Sequence, residues 1–354
     1  MRPPLRVHVL YEHTVHPHSS SFIRLLQPLT HPLLNRHIDV SYGIMYGGLD
    51  TDLIIIDRYW SPHKINLDIA KDIVNEIRIA GARFIYALDD NFFDIPSDRS
   101  NSPTLEQLTA VKYFLRTADM VWVTTPYLQK SFENFNEKIK ILPNSLDERL
   151  LIRRAPKIAG TPFDSKKKVI GYMGTMTHDD DLLMILPALQ AVCGRHPEVE
   201  IEIIGGASCS KTYQQLQDLP VRFLKPARGE DIYPNFMLWF TNWINWDIGI
   251  APLMDTDFNR AKSDIKFLDY AAIGAPGIFS DVLAFQKSVH HQGNGWLVSN
   301  KASSWEEALE FLLEDDGHRI NLAKEAQDTV FSSRILKYCA TNWLEALWEL
   351  DSNG

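Results

Sequence analysis

A chain of 354 residues is too long for one ordinary core and suits two domains of about 150 to 200 residues, hence a cleft between them. Hydrophobic content of 45%, aromatic content of 11% and charged content of 23% exclude a disordered or fibrous protein. With a net charge of −9 no nucleic-acid partner is expected, yet the charge is unevenly spread: residues 1–168 hold 22 Lys+Arg against 19 Asp+Glu, the remainder 14 against 26. Either solvated surface charge simply fell this way, since Lys166-Lys167-Lys168 is the one dense basic run, or the first half faces an anionic acceptor or makes peripheral contact with a membrane. Cys193, Cys209 and Cys339 lie far apart without a CxxC pair, so neither a zinc site nor a disulfide framework is expected, and a reducing cytoplasm is the expected home. No run approaches the roughly 18 apolar residues of a membrane span, and MRPPLRVHVLYEH goes straight into a strand instead of a signal-peptide core.

In chain order, Leu5 to Tyr11 alternates into a strand, and Ser19-Ser20-Ser21 before Phe22, Leu25 and Leu26 caps a helix with an apolar face. Between them His13, His16 and His18 have no carboxylate or cysteine partner in sequence, so they read as polar lining of a strand-to-helix loop and not as a metal site. Asp52 to Asp57 is a near-continuous apolar strand leading to Arg58-Tyr59-Trp60, and a helix from about Leu67 to Ala80 closes at Gly81. Arg83 to Leu88 is a strand whose tip delivers Asp89-Asp90; a helix of roughly Thr104 to Thr117 follows, then a strand from Asp119 to Thr124. Thr125-Pro126 starts another helix as cap and first-turn proline, and Lys140 to Ser145 is a last short strand. This alternation predicts a parallel, doubly wound sheet.

The polar, proline-bearing stretch from Arg153 to Lys168 is the best domain boundary, with the first domain over 1–160 and the second over 161–335. Val169 to Gly174 is a strand with a glycine-bearing end, followed by a helix marked by Leu182, Leu183, Ile185, Leu186 and Leu189. Glu200 to Gly206 and Val221 to Leu224 are further strands. Trp239, Trp243 and Trp246 recur at helical spacing, which favours core packing over a stacking platform. Ile248 to Leu253 is a buried strand closed by proline. A loop with Arg260, Lys262 and Lys266 then leads into a helix through Phe267, Leu268, Tyr270, Ala271 and Ala272, stopped by Gly274 and Pro276. Cations and backbone N–H groups thus gather at a helix start beyond a strand end, the place where open α/β sheets bind phosphates. Glu306 to Leu313 and Asn321 to Val330 are closing helices, and residues 336–354 carry an amphipathic helix with Trp343, Leu344, Leu347, Trp348 and Leu350.

Two doubly wound domains, with PNSLD before the boundary, GYMGTMTHDDDL after it and SDIKFLDYAAIGAPGIFSDV near the end, resemble the GT-B glycosyltransferases, specifically the large retaining family that includes bacterial polysaccharide and lipopolysaccharide transferases. The stretch from Lys266 to Pro276 is similar to that family's K-x-L-E-x-x-A-x-G-x-P signature. The resemblance implies an α/β protein of two Rossmann-like domains facing across a cleft. It places a nucleotide-diphosphate-sugar, UDP- or GDP-linked, on the second domain, and a glycan, lipid-linked or protein hydroxyl acceptor on the first. The final helix would cross back to the first domain, and the chemistry would need no metal or other cofactor. Two departures stand out. The family's second glutamate, a ribose ligand, matches Asp269, whereas its first matches Ala261, which cannot make the contact. The loop from Gly174 to Asp181 also lacks the family's cations, which shifts the diphosphate to Arg260, Lys262 and Lys266, with Gly171 and Gly174 letting backbone approach the phosphates. Asp255, Asn259 and Asp264 are further polar groups available to the donor.

Glycosyl transfer must stabilise an oxocarbenium-like centre, neutralise the departing diphosphate and deprotonate an acceptor hydroxyl. Asp89 and Asp90 are candidates for the acceptor side, with a loop-ordering acid pair as the alternative. His178 is a candidate donor to phosphate or sugar, beside a helix-capping reading of Thr177 and its acids. For each of Arg260, Lys262 and Lys266 the alternative is solvated surface charge. The rival functions are a sugar-nucleotide 2-epimerase and a noncatalytic nucleotide-sugar-binding homologue.

Overall fold

The computed structural model describes residues 3–12, 16–97, 99, 102–156, 167–174, 178–205 and 210–351, leaving aside the side chains of Ser210, Lys211 and Asp351. His13, residues 175–177, Gly206, Cys209 and the boundary expected at residue 160 lie outside this set. The chain divides into two compact units. The first comprises Met1–Glu148, Arg260–Ser263 and Ile335–Gly354, and the second Arg149–Asn259 and Asp264–Arg334. Among the described residues no helix is long and apolar enough to cross a membrane.

The first unit is built on β1 (Leu5–Leu10), β2 (Ile38–Gly43), β3 (Leu53–Asp57), β4 (Arg83–Leu88), β5 (Met120–Val123) and β6 (Ile139–Ile141), in the order β2-β1-β3-β4-β5-β6. All neighbours run parallel, so both faces must be covered by helices. The period-two alternation of the strands divides their side chains accordingly. Ile54, Ile56, Phe84, Tyr86 and Leu88 pack with Ile73, Ile77, Val111 and Phe114 of the helices Leu67–Ile79 and Leu105–Thr117. Val7, Val9, Ile55, Ile85 and Ala87 pack on the opposite face with Leu25, Leu26 and the apolar stripe Leu336, Ala340, Trp343, Leu344 and Leu347 of the last helix, Leu336–Asp351. Local signals set the helix ends: Asn66 caps the first of these helices, Gly81 at φ 75° closes it, and Thr104 with Gln107 forms a capping box on the next. Strand β2 has no apolar run to announce it. Asp39, Ser41 and Tyr42 are exposed on a sheet edge, and only the pairing of Leu5–Leu10 with Ile38–Gly43 defines it.

The second unit repeats the plan with β7 (Lys168–Met173), β8 (Val199–Ile204), β9 (Val221–Leu224), β10 (Ile248–Ala251), β11 (Gly277–Ser280) and β12 (Trp296–Val298), in the order β12-β11-β10-β7-β8-β9. Every pairing is again parallel. Its core joins Ile170, Tyr172, Ile201, Ile203, Ile248 and Ile278 to Leu189, Trp305, Leu309 and Leu322. The three tryptophans expected on one helical face separate. The helix Tyr233–Trp243 stops at Ile244, whose extended backbone takes the following residues out of helical phase. Trp246 is consequently buried while Trp243 is 68% exposed, so the expectation of core packing fails for Trp243.

Candidate functional site

In each sheet the chain first builds one side and then the other, so the crossover connections leave adjacent strands in opposite directions at one point, where ligand crevices form outside the strand C-termini. In the second unit that point lies between β7 and β10. Past β10 four hydrogen bonds hold the loop at Leu253, Met254 and Asn259. Leu253 N donates to Ser280 Oγ at 2.8 Å, Asn300 Nδ2 to the Leu253 carbonyl at 2.9 Å, Met254 N to Asp181 Oδ1 at 2.7 Å, and Asn259 Nδ2 to the Met254 carbonyl at 2.9 Å. Past β7, His178 precedes the short helix Asp179–Met184, and its Nδ1 lies 2.7 Å from Asp181 Oδ2. Tyr172 OH donates to the His178 carbonyl at 3.3 Å.

The helix Ile265–Ala272 starts beside this loop and carries Lys266 and Asp269 three residues apart. Lys266 Nζ sits 4.8 Å from the Tyr172 ring centroid. Asp269 is only 5% exposed, and no group among the described residues hydrogen-bonds its Oδ1. Burial pushes its carboxyl up to about 7, with Lys266 opposing and Asp264 reinforcing the shift. Leaving a buried carboxylate oxygen unmet costs on the order of 1–3 kcal/mol, which makes Asp269 the one place in this helix where folding alone gives no account of the residue. Asp264 differs: Arg334 donates to both of its oxygens at 2.8 and 3.0 Å, so it is committed to a bidentate ion pair and drops out of the groups available to a donor.

Gly171 lies within β7, and a Cβ there would stand 1.7 Å from Trp246 Cδ2, so the indole requires the space. Gly174 is at the strand tip, where a Cβ would meet Tyr172 OH at 2.5 Å.

In the first unit the corresponding point lies between β1 and β3. Charged residues stand at three of the strand ends: Glu12 after β1, Asp57 and Arg58 at β3, Asp89 and Asp90 after β4. Arg58 joins them. Its Nε donates to Glu12 Oε2 at 2.7 Å and its Nη1 to Asp89 Oδ1 at 2.6 Å and Asp90 Oδ2 at 3.1 Å, with the guanidinium 4.9 Å from the Phe92 ring centroid. Its backbone is left-handed at φ 51°, as is Trp60 at φ 53°, conformations that cost non-glycine residues about 1–3 kcal/mol and concentrate at functional sites. Arg24 pairs with Asp57 and lies 3.6 Å from Asp89 Oδ2. Lys262 Nζ donates to Asp90 Oδ1 at 2.6 Å.

These contacts set the proton affinities. Burial would raise Asp89, but Arg24, Arg58 and Lys262 outweigh it and hold its carboxyl well below the usual range. Burial raises Glu12 against the pull of Arg58. Burial works against the charge on Arg58, yet Asp89, Glu12, Asp90 and Asp57 raise its proton affinity further. Asp89 is therefore a poor proton acceptor and a good fixed charge.

The sequence-derived candidates accordingly fall into two groups. Gly174, His178, Lys266 and Asp269 lie at the second unit's switch point. Asp89, Asp90 and Lys262 lie together in the first unit, to which Arg260–Ser263 also belongs. Glu12, Arg24, Arg58 and Asp181 were missed; the available signal was a charged residue closely following a buried strand for Glu12 and Arg58 and the third acid of the DDD run for Asp181, whereas Arg24, inside the helical segment Phe22–Leu26, offered none. Among the described residues one further cluster, His196, Glu310 and Glu314, brings three metal-type ligands within 4.8 Å, but it sits apart from both groups and Arg195 already pairs with Glu310.

Two parallel six-stranded Rossmann-like sheets in one chain define the GT-B glycosyltransferase fold. HepE from Anabaena, in complex with UDP and glucose, superposes with a TM-score of 0.69 at 14% identity over 98% of this chain and 100% of its own. Sucrose-phosphate synthase from Thermosynechococcus elongatus does so at 0.70 and 13% identity, with 100% of both chains covered. Residues 167–315, nearly all in the second unit, match the family model of the group 1 glycosyl transferases. The D-inositol 3-phosphate glycosyltransferase of Corynebacterium urealyticum is 26% identical over 185 residues, 49% of this chain but only 40% of that protein's length.

Proposed function

We propose that the protein transfers a sugar from a nucleotide-diphosphate-sugar to a hydroxyl acceptor, with retention at the anomeric carbon and without a metal, in the synthesis of a glycan or polysaccharide. The second unit holds the donor: Asp269 receives the ribose hydroxyls and Lys266 the diphosphate, with Gly174 and His178 at the same sheet edge. The first unit receives the acceptor, with Asp90 and Asp89 accepting from its hydroxyls and Arg58 holding both acids in place. The observation that carries this reading is the buried Asp269 carboxylate, whose Oδ1 lacks a partner three residues beyond Lys266 at the switch point. Ribose hydroxyls are donors of the kind that oxygen lacks. Lys262, paired with Asp90, is assigned to the acceptor group, and Arg260 is given no separate role.

The test is calorimetric titration with UDP, UDP-glucose and GDP-mannose, followed by nucleotide release with and without a cell extract as acceptor. Acceptor-dependent release is expected. Lys266→Ala should weaken UDP binding about tenfold or more, the scale of 1.5–3 kcal/mol for a hydrogen bond to a charged group. Binding without turnover, or release with an altered sugar and no acceptor dependence, refutes transfer.

A further inference from the structure

Pro28 stands inside a helical stretch of the first unit, where proline is costly. It has no N–H for the carbonyl four residues back, that of Arg24, and its ring crowds that carbonyl. The stretch answers by widening. Between the α-helical turns Ser19–Ser21 and Gln27–Leu29, residues Phe22–Leu26 form a π-helical turn, and Gln27 N donates to the Phe22 carbonyl five residues back. The Arg24 carbonyl is met from another helix: Trp343 Nε1, on the last helix Leu336–Asp351, donates to it at 2.8 Å. Trp343 is buried and packs in one cluster with Leu25 and Leu26.

Arg24 sits at the centre of this turn. Its side chain, only 5% exposed, pairs with Asp57 and lies 3.6 Å from Asp89 Oδ2. Ser21 Oγ, one turn earlier, donates to the other oxygen of Asp57. Burial would raise the Asp89 carboxyl, and among the cations that outweigh it Arg24 stands ahead of Arg58 and Lys262. One residue is therefore fixed twice, by its carbonyl to the last helix and by its guanidinium to the acids at the ends of β3 and β4.

We propose that Trp343 is a positioning residue for the acceptor carboxylates: its indole holds the carbonyl that Pro28 leaves without a helical donor, and so keeps the Arg24 guanidinium between Asp57 and Asp89. The role in transfer rests on the reading of Asp89 and Asp90 as acceptor groups; the link from Trp343 to Arg24 does not. Without the indole N–H a buried carbonyl goes unmet and the π-helical turn repacks to satisfy it. A guanidinium meets carboxylates through a rigid fork, so a shift of the Arg24 backbone is passed to Asp57 and Asp89.

Trp343→Phe keeps an aromatic ring in the cluster and removes the donor. Incorporating 3-benzothienylalanine at position 343 keeps the bicyclic shape with sulfur in place of the N–H, and serves if the smaller ring unsettles the fold. Nitrogen-15 spectra of arginine-labelled protein should show the Arg24 side-chain N–H groups protected in the parent and exchanging about tenfold faster or more in both variants, the scale of a buried acceptor left unmet. UDP release from UDP-glucose with a cell extract as acceptor should fall about tenfold to 100-fold, the range for a displaced group, with UDP affinity within about threefold. Arg24→Lys keeps the charge and loses the fork; it should lower release as far, and adding Trp343→Phe to it should lower release no further. Unchanged Arg24 exchange in the benzothienylalanine protein overturns the proposal, as does undiminished release from a variant whose Arg24 exchange has risen. If the parent shows no acceptor-dependent release, the acceptor reading has failed, and the spectra still decide whether Trp343 holds Arg24.

Discussion

Replacing Asp269 by asparagine should make the protein more stable and less able to bind nucleotide, and the stability gain should depend on pH in a calculable way. The carboxyl has an ordinary value of 3.8 and a folded value of about 7. Between those values the folded state keeps a proton that the unfolded chain has released, so stability falls as pH rises and the loss is complete above the folded value. Three units at about 1.36 kcal/mol each give an upper figure of ~4 kcal/mol. Asparagine fills the same space and does not titrate. In urea unfolding, the gap by which Asp269→Asn exceeds the parent should therefore widen by roughly 2 to 3 kcal/mol between about pH 5 and about pH 8. Subtracting the parent at each pH removes every other titrating group common to both. A gap that stays constant with pH would show that Asp269 is not held protonated by burial, and the reasoning that gives it a ligand would go with it.

The same linkage predicts that UDP binding strengthens from about pH 6 to about pH 8 and releases protons near neutrality, because ribose hydroxyls stabilise the ionised carboxylate; calorimetry in buffers of different ionisation heat measures this, and a pH-independent affinity removes Asp269 from the ribose. Arg58→Ala leaves Glu12, Asp89 and Asp90 without the guanidinium that joins them, and should cost about 3–5 kcal/mol in urea unfolding, the usual result of stripping one partner from a buried ion pair. A loss under about 1 kcal/mol would mean that Lys262 and Arg24 suffice. Gly171→Ala drives a methyl to 1.7 Å from the Trp246 indole and should destabilise by about 1–3 kcal/mol or more with a change in tryptophan fluorescence, whereas a neutral outcome would imply a strand able to shift.

Much of the architecture was legible because the strands are buried on both faces. Stretches such as Leu53–Asp57 and Arg83–Leu88 read as strands by composition alone, and Asn66, Gly81, Thr104 and Gly274 mark helix ends by their conformational preferences. Strand β2, on a sheet edge with alternating exposure, offers neither signal. At the sites the limit is different. A charged residue after a strand can be placed at the sheet edge from sequence, but its partner comes from another strand. Asp57 and Asp89 look alike as residues following apolar runs; one is sealed against Arg24 and Ser21, the other held between Arg58 and Arg24. In the same way the DDD run gives no hint that its third member alone is buried.

Ala261 shows how far a departure from a family pattern can be explained once its surroundings are known. An alanine where related chains carry an acid suggests a lost function. Here the residue is fully buried and packs into the apolar cluster of the first unit with Phe92, Val123 and Leu128, and its carbonyl accepts from Thr125 Oγ1 at 3.3 Å. A glutamate at that point would bring a charge into a cluster of aliphatic and aromatic side chains, a cost of several kcal/mol unless a partner came with it. The neighbouring positions are also committed, Lys262 to Asp90 and Ser263 Oγ to Asn144 Nδ2 at 2.8 Å. The segment therefore works as a plug: its alanine is selected by volume and its flanking polar groups by partners in the first unit. On the proposed reading, contact with the donor falls to the helix that follows, in the second unit, where Asp269 Oδ1 has no hydrogen-bond partner among the described residues. Ala261→Glu should accordingly destabilise the first unit without restoring any affinity for UDP; if it strengthened UDP binding instead, the acid's position would be open to the donor and the plug would be no plug.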